Sequence, residues 1–135
     1  MLVKIQNQNI LITGATGGIG RSIVKSFDGD NNNLLIIGTN ENKLNALSKE
    51  LKSSTKYLSC DFNDYRNIKH IITKINEELD NKIDILINNA GITKDNLTLR
   101  MKEEEWNDVI NLNLSTTFFL TKEVLRFMIN NRFGR

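Results

Sequence analysis

The chain has 135 residues, 39% of them apolar and 25% charged, with a formal net charge of +2. That length fits one domain with room for a hydrophobic core, and so small a charge argues against nucleic acid or a membrane surface as partner. With Cys60 the only cysteine no internal disulfide is possible and a reducing compartment fits, while no apolar run approaches the roughly 20 residues of a membrane span.

Short, nearly all-apolar runs alternate with stretches of helical period. Strands are expected at 9–13, 34–38, 57–60 and 83–88, each apolar almost throughout, as parallel strands covered on both faces are. The first begins so early that no leader is expected ahead of it, and the cytoplasm is the expected location. Helices are expected between the strands at 19–27, 41–51 and 65–79. Leu44, Leu47 and Leu51 stripe the second, and Ile68, Ile71, Ile72, Ile75 and Leu79 the third. The polar runs 28–33 and 91–96 read as turns. Two helices follow at 102–111 and 115–130, the latter with Phe118, Leu125 and Met128 assigned to one face. This order predicts an α/β fold, a doubly wound parallel sheet with right-handed crossovers.

The first strand runs directly into Thr13-Gly14-Ala15-Thr16-Gly17-Gly18-Ile19-Gly20. A strand that feeds a glycine turn and then a helix builds an anion site. The helix start offers unpaired N–H groups and the positive end of its dipole, and glycine lets a diphosphate reach the main chain. Gly14 suits the tight turn, Gly18 the close approach of phosphate, and Gly20 the packing of helix on strand. Glycine turns are common, but the strand before, the helix after and the parallel pattern downstream point this one to a Rossmann-like dinucleotide site.

The spacing Gly-x-x-x-Gly-x-Gly resembles that of the short-chain dehydrogenase/reductase family, and so does Asn88-Asn89-Ala90-Gly91 after the fourth strand. The resemblance implies cofactor contacts from Thr13, Gly14, Thr16, Gly18, Ile19 and Gly20. It implies that the tetrad steadies the central sheet and lines the adenosine-ribose side, with Asn88, Ala90 and Gly91 as cofactor contacts, that Asp61 meets the adenine amino group, and that Phe62 adds a main-chain contact. Within the family, the stretch from Asn88 onward is similar to the 3-oxoacyl-[acyl-carrier-protein] reductases, through Gly91-Ile92-Thr93, Arg100-Met101-Lys102, Glu105-Trp106 and Asn113-Leu114-Ser115. Acetoacetyl-CoA reductases look similar there. The resemblance covers the whole chain but only about the first half of the family's length. It therefore implies the N-terminal dinucleotide-binding part, residues 1–135, of a single domain truncated after the fourth strand and its following helices. The activity implied is NADPH-dependent reduction of 3-oxoacyl-[acyl-carrier-protein] to the 3-hydroxy form in fatty-acid synthesis. The implied assembly is a homotetramer using the long final helix, with Arg132 docking the acidic carrier. Arg132 reads equally as a solvated arginine at a helix end. Two alternatives stand beside this activity: another short-chain reductase, such as one for acetoacetyl-CoA, or a cofactor-binding remnant without turnover.

An acid at the end of the second strand would bind a ribose 2′-hydroxyl and repel a 2′-phosphate. Thr39 stands there, and it favours NADP(H). Family members that bind NADPH often carry a basic residue where this chain has Gly17, and Arg21 and Lys43 are the nearby bases able to compensate. Asn113 matches the family's catalytic asparagine, which helps organise a proton relay; its plainer reading is a helix amide satisfied by a backbone group. The serine and the Tyr-x-x-x-Lys pair of the family are expected beyond Arg135. Tyr65 and Lys69 share the spelling but precede Asn-Asn-Ala-Gly and read as a helix start. Cys60 is expected as a small core residue, His70 as a helix residue without metal partners, Glu103 to Glu105 as a helix start, and Trp106 as packing between helices. No metal site is expected.

Overall fold

The computed structural model describes residues 4–135. Four strands, β1 (Asn9–Thr13), β2 (Asn33–Gly38), β3 (Ser54–Ser59) and β4 (Ile85–Ile87), form one parallel sheet in the order β3-β2-β1-β4. Helices α1 (Gly18–Ser26), α2 (Glu41–Glu50) and α3 (Ile68–Glu78) make the crossovers, and α4 (Glu103–Ile110) and α5 (Thr117–Asn130) follow β4. The winding moves outward from β1 through β2 to β3 and then returns to the other side of β1. The reversal between β1 and β4 opens a crevice at the carboxyl ends of the strands, the usual ligand position in such sheets.

Alternation along the strands assigns the two faces. Ile10 and Ile12 of β1, with Leu34 and Ile36 of β2, pack with Val24 of α1 and Leu44 and Leu47 of α2. Leu11, Leu35 and Ile37 pack the opposite face, against the Ile68, Ile71, Ile72 and Ile75 stripe of α3 and against Leu120, Val124 and Met128 of α5. Both faces of β1 and β2 are therefore dry, which is why these strands read as continuous apolar runs.

Several expected boundaries move. β3 starts earlier than expected, at Ser54, because it is an edge strand whose Ser54 and Lys56 face solvent while its main chain pairs with β2 from Asn33 onward. Residues 65–67 form a 3-10 turn, with Asp64 accepting the Arg66 N–H at 3.0 Å, before α3 proper. The expected break between the last two helices is absent: a π-helical segment, Asn111–Thr116, joins α4 to α5. The expected buried face of α5 is wrong for two residues. Met128 is buried, but Phe118 is 60% and Leu125 45% exposed. That helix carries two apolar stripes, and Leu120, Val124 and Met128 are the one facing the sheet. Trp106, expected between helices, is 58% exposed.

α5 ends in a Schellman motif: Arg132 N–H bonds to Ile129 O at 3.1 Å, and Phe133 N–H to Met128 O at 3.1 Å. Arg132 occupies the left-handed position of this motif, with φ of 51°. The chain then reaches the free edge of β4, where Arg135 N–H bonds to Asp84 O at 3.0 Å and Leu86 N–H to Arg135 O at 2.9 Å. A left-handed conformation costs a side-chain-bearing residue about 1 kcal/mol more than glycine. Arg132→Gly is therefore expected to raise unfolding free energy by about 1 kcal/mol in urea titration; a loss of stability would show that the arginine side chain holds this terminus.

Candidate functional site

The corner between β1 and α1 depends on missing side chains. Gly14 has φ of +63°, and a Cβ on it would lie 2.8 Å from Ala90 Cα. A Cβ on Gly20 would overlap the Gly14 carbonyl oxygen and come within 2.7 Å of Asn89 Nδ2. α1 can therefore sit this close to β1 and to the loop after β4 only with glycine at both places. Gly17 is the N-cap residue and no side chain caps the helix. By contrast, α2 is capped by Asn40, whose side-chain oxygen accepts the Lys43 N–H at 2.9 Å. The first N–H groups of α1 are thus not taken by a side-chain cap.

These groups border a cleft of about 430 Å³ at the carboxyl ends of the strands. Of the residues expected to bind a cofactor, Gly14, Thr16, Gly18, Ile19 and Gly20 line its first wall. Thr39, Asp61 and Phe62 line the wall beyond β2 and β3, and Ala90 and Gly91 the wall after β4. Two expected residues stand elsewhere. Thr13 is 2% exposed; its hydroxyl donates to Ile87 O at 3.3 Å and accepts the N–H groups of Asn89 at 3.1 Å and Ala90 at 3.0 Å. Asn88 donates to Thr121 Oγ1 at 3.0 Å. Both side chains hold the β4 loop in place and neither lines the cleft.

Asn89, expected with its tetrad to steady the sheet and line the adenosine-ribose side, lines the cleft. Its amide donates to the carbonyls of Thr13 at 3.2 Å and Gly14 at 3.0 Å, fixing the two loops together. Gly17, Gly38, Cys60, Asn63, Ile92 and Leu112 line it too. Position at or after a strand end was the one signal in the sequence for Gly38, Cys60 and Asn63. Nothing in it marked Leu112, which the π segment delivers.

That segment anchors two cleft loops at once. Asn113 Oδ1 accepts the Ile92 N–H at 2.9 Å and its Nδ2 donates to Ile92 O at 2.9 Å. Thr116 Oγ1 donates to Phe62 O at 2.7 Å in a buried bond. Asn113 thus stands beside the cleft with its amide occupied by the main chain of Ile92. Asp61 keeps its carboxylate at the cleft, where Asn63 donates from its N–H at 2.9 Å and its amide at 3.3 Å. Arg21 points away: its Nη2 donates to both carboxylate oxygens of Glu50, which also takes Lys25 at 3.3 Å. Lys25 and Arg21 together hold the Glu50 carboxyl below the usual carboxylate range. Tyr65 is likewise outside the cleft, stacked on Phe119 of α5 with ring centroids 4.9 Å apart. Among the described residues no cluster of metal-ligating side chains occurs, and no helix is long and apolar enough to cross a membrane.

The family model for short chain dehydrogenases matches residues 8–135. This chain belongs to that family. Among curated short-chain dehydrogenase relatives, the 3-oxoacyl-[acyl-carrier-protein] reductase FabG of Escherichia coli K12 is 44% identical over 133 residues, covering 98% of this chain and 54% of its own. That of Rickettsia bellii is 38% identical over 134 residues, covering 99% and 54%. The chain spans about half the length of the curated relatives it matches. Among solved structures, a metagenomic short-chain oxidoreductase in complex with NADP superposes with a TM-score of 0.88 at 25% identity, over 96% of this chain and 60% of that one.

Burial, with Asp61 adding repulsion, pushes the Cys60 thiol up to about 11 from an ordinary value of 9.0. The reactive thiolate is accordingly depleted in the folded chain at every pH below that value, by roughly 100-fold where both states are mostly protonated. Iodoacetamide at pH 8 is expected to alkylate Cys60 roughly 100-fold more slowly in the folded chain than in urea. Equal rates would show that Cys60 is not held in the cleft wall.

Proposed function

We propose that residues 1–135 are the dinucleotide-binding part of a single short-chain dehydrogenase/reductase domain, acting with NADP(H) on 3-oxoacyl-[acyl-carrier-protein] in the cytoplasm. The observation that carries the reading is the uncapped start of α1, open to a cleft at the reversal between β1 and β4. In this reading the main chain of Gly18, Ile19 and Gly20 holds the diphosphate. Asp61 and the main chain of Phe62 meet adenine, Thr39 meets the adenosine ribose, and Ala90 and Gly91 close the opposite wall. The fit rests on the geometry of the corner, where Cβ atoms added at Gly14 and Gly20 would strike Ala90 and the Gly14 carbonyl and push the helix start off the strand. The bound coenzyme supplies a hydride for the 3-oxo carbon.

This chain's own contribution is binding and positioning. Thr13 and Asn89 lock the glycine loop to the β4 loop. Asn113 fixes Ile92 through its side chain; its proposed part in the reaction is the one the resemblance implies, helping to organise a proton relay. Neither Tyr57 nor Tyr65, the two tyrosines of this sequence, lines the cleft, and the family's Tyr-x-x-x-Lys pair is expected beyond Arg135. The chain by itself is therefore expected to bind coenzyme without turning over. The relatives support the substrate class, since both are 3-oxoacyl-[acyl-carrier-protein] reductases. Arg132, exposed at the end of α5, is the proposed contact for the acidic carrier. Leu114, Phe118, Leu125 and Ile129 are exposed at helical spacing and form the proposed self-association face of a homotetramer.

Titration of the chain with NADPH, followed by assay with a 3-oxoacyl thioester, is expected to show binding and no oxidation. Gly20→Val is expected to abolish binding. Lack of binding by the unaltered chain would remove the dinucleotide reading; turnover would place a proton donor within these residues. In a protein that supplies the second half, Arg132→Glu is expected to raise KM for carrier-linked substrate and to spare CoA-linked substrate, and equal losses would refute the docking role.

A further inference from the structure

A threonine inside a helix commonly turns its hydroxyl back on its own helix. Thr73 of α3 and Thr121 of α5 do so, donating to Lys69 O at 3.1 Å and to Thr117 O at 2.7 Å. Thr116, the last residue of the π segment, does not. It is buried, and its hydroxyl leaves the helix to donate to Phe62 O at 2.7 Å, 54 residues away in the chain. That carbonyl belongs to the peptide unit joining Phe62 to Asn63. The N–H of the same unit donates to Asp61 Oδ1 at 2.9 Å, and the Asn63 side-chain amide donates to Asp61 Oδ2 at 3.3 Å. One peptide plane is therefore tied at its oxygen to a buried hydroxyl and at its nitrogen to the carboxylate that lines the cleft. Two such ties hold the plane against rotation, and a carbonyl that accepts a hydrogen bond makes the N–H of its own amide a stronger donor. Each carboxylate oxygen can accept more than one hydrogen bond. Asn63 uses one site on each oxygen, and the carboxylate keeps acceptor sites for a ligand.

Resting on the reading that this cleft holds a nicotinamide dinucleotide with its adenine at Asp61, we propose that Thr116 is a positioning residue for recognition of the base. Through the Phe62–Asn63 peptide it sets the direction of the Asp61 carboxylate, and with it the preference for a purine that carries a 6-amino group. Adenine presents an N–H donor to that carboxylate. Hypoxanthine presents a carbonyl oxygen there, acceptor against acceptor. Asp61 is exposed, so packing does not fix it; the restraint comes from Asn63 and, behind Asn63, from Thr116. Tyr65 also ties this loop to α5, by stacking on Phe119, but that contact makes no hydrogen bond to the Phe62–Asn63 peptide.

Calorimetric dissociation constants of NADPH and of its hypoxanthine analogue for the full chain test this. The unaltered chain is expected to prefer NADPH by about tenfold. Thr116→Val, close in shape but without the donor, is expected to cut the preference to about threefold or less, and Thr116→Ser to retain it. Valine leaves the buried Phe62 carbonyl without its donor, so stability falls too. If that variant does not fold, Thr116→Cys, whose S–H is a weak donor, is read against Thr116→Ser and is expected to show the lower preference. Tyr65→Leu removes the ring stack and is expected to leave the preference unchanged. A full preference in Thr116→Val, or in Thr116→Cys where the valine variant does not fold, would overturn the proposal. So would an equal loss in Tyr65→Leu, which would make the position of the whole loop responsible. Each of these results leaves the dinucleotide reading intact. Equal binding of the two compounds by the unaltered chain would remove the Asp61 contact and the proposal with it. Failure of both to bind would overturn the dinucleotide reading itself.

Discussion

Helix α1 reaches the end of β1 because residue 20 has no side chain to hold it off. The contact of Gly20 with the Gly14 carbonyl sets where the helix begins, and so where its unpaired N–H groups and the positive end of its dipole are aimed. Displacement of the helix start by even a methyl-sized group would move those donors away from the point to which the sheet reversal delivers a ligand. The apolar layers on either side of β1 and β2 hold this corner rigid, and the same two strands carry the full burial of the sheet.

A second layer of polar bonds fixes the loops around that corner. Asn89 is bound to the carbonyls of Thr13 and Gly14, and Thr13 returns the bond through its hydroxyl to the N–H groups of Asn89 and Ala90. The π segment then anchors the far walls, Ile92 through Asn113 and Phe62 through Thr116. Regular α-helix across residues 111–116 would change the angular relation between Asn113 and Thr116; the wider winding is what lets one continuous helix hold both loops. The cleft is thus preorganised by hydrogen bonds that are buried at Thr116, partly buried at Thr13 and Asn89 and exposed at Asn113, with one acidic side chain in its lining.

Much of this was legible in the residues, because the constraints are local. Glycines at 14 and 20 are demanded by backbone contact, and apolar runs such as Ile10-Leu11-Ile12 are demanded by burial on two faces. The Ile68 to Ile75 stripe of α3 has one apolar face, so its orientation could be read from spacing. α5 has two, and spacing could not tell that Leu120, Val124 and Met128 face the sheet while Phe118 and Leu125 face out. The edge strand β3 was read too short because Ser54 and Lys56 follow solvent, not core. Thr13 and Asn88 stand in the right motif, but their side chains are spent on structure; only a tertiary map distinguishes a residue that lines a cleft from one that braces it. The π segment has no local sequence signature, and its role emerges from contacts more than 20 residues distant in the chain.

The central claim is that main-chain amides at the start of α1 receive a diphosphate. Two-dimensional amide resonance spectra of the 15N-labelled chain, recorded during titration with adenosine 5′-diphosphate, address it residue by residue. The account predicts that the amides of Gly18, Ile19 and Gly20 shift most, together with those of Asp61 and Phe62. Shifts confined to other surfaces, with the Gly18 to Gly20 amides unmoved at saturation, would contradict it.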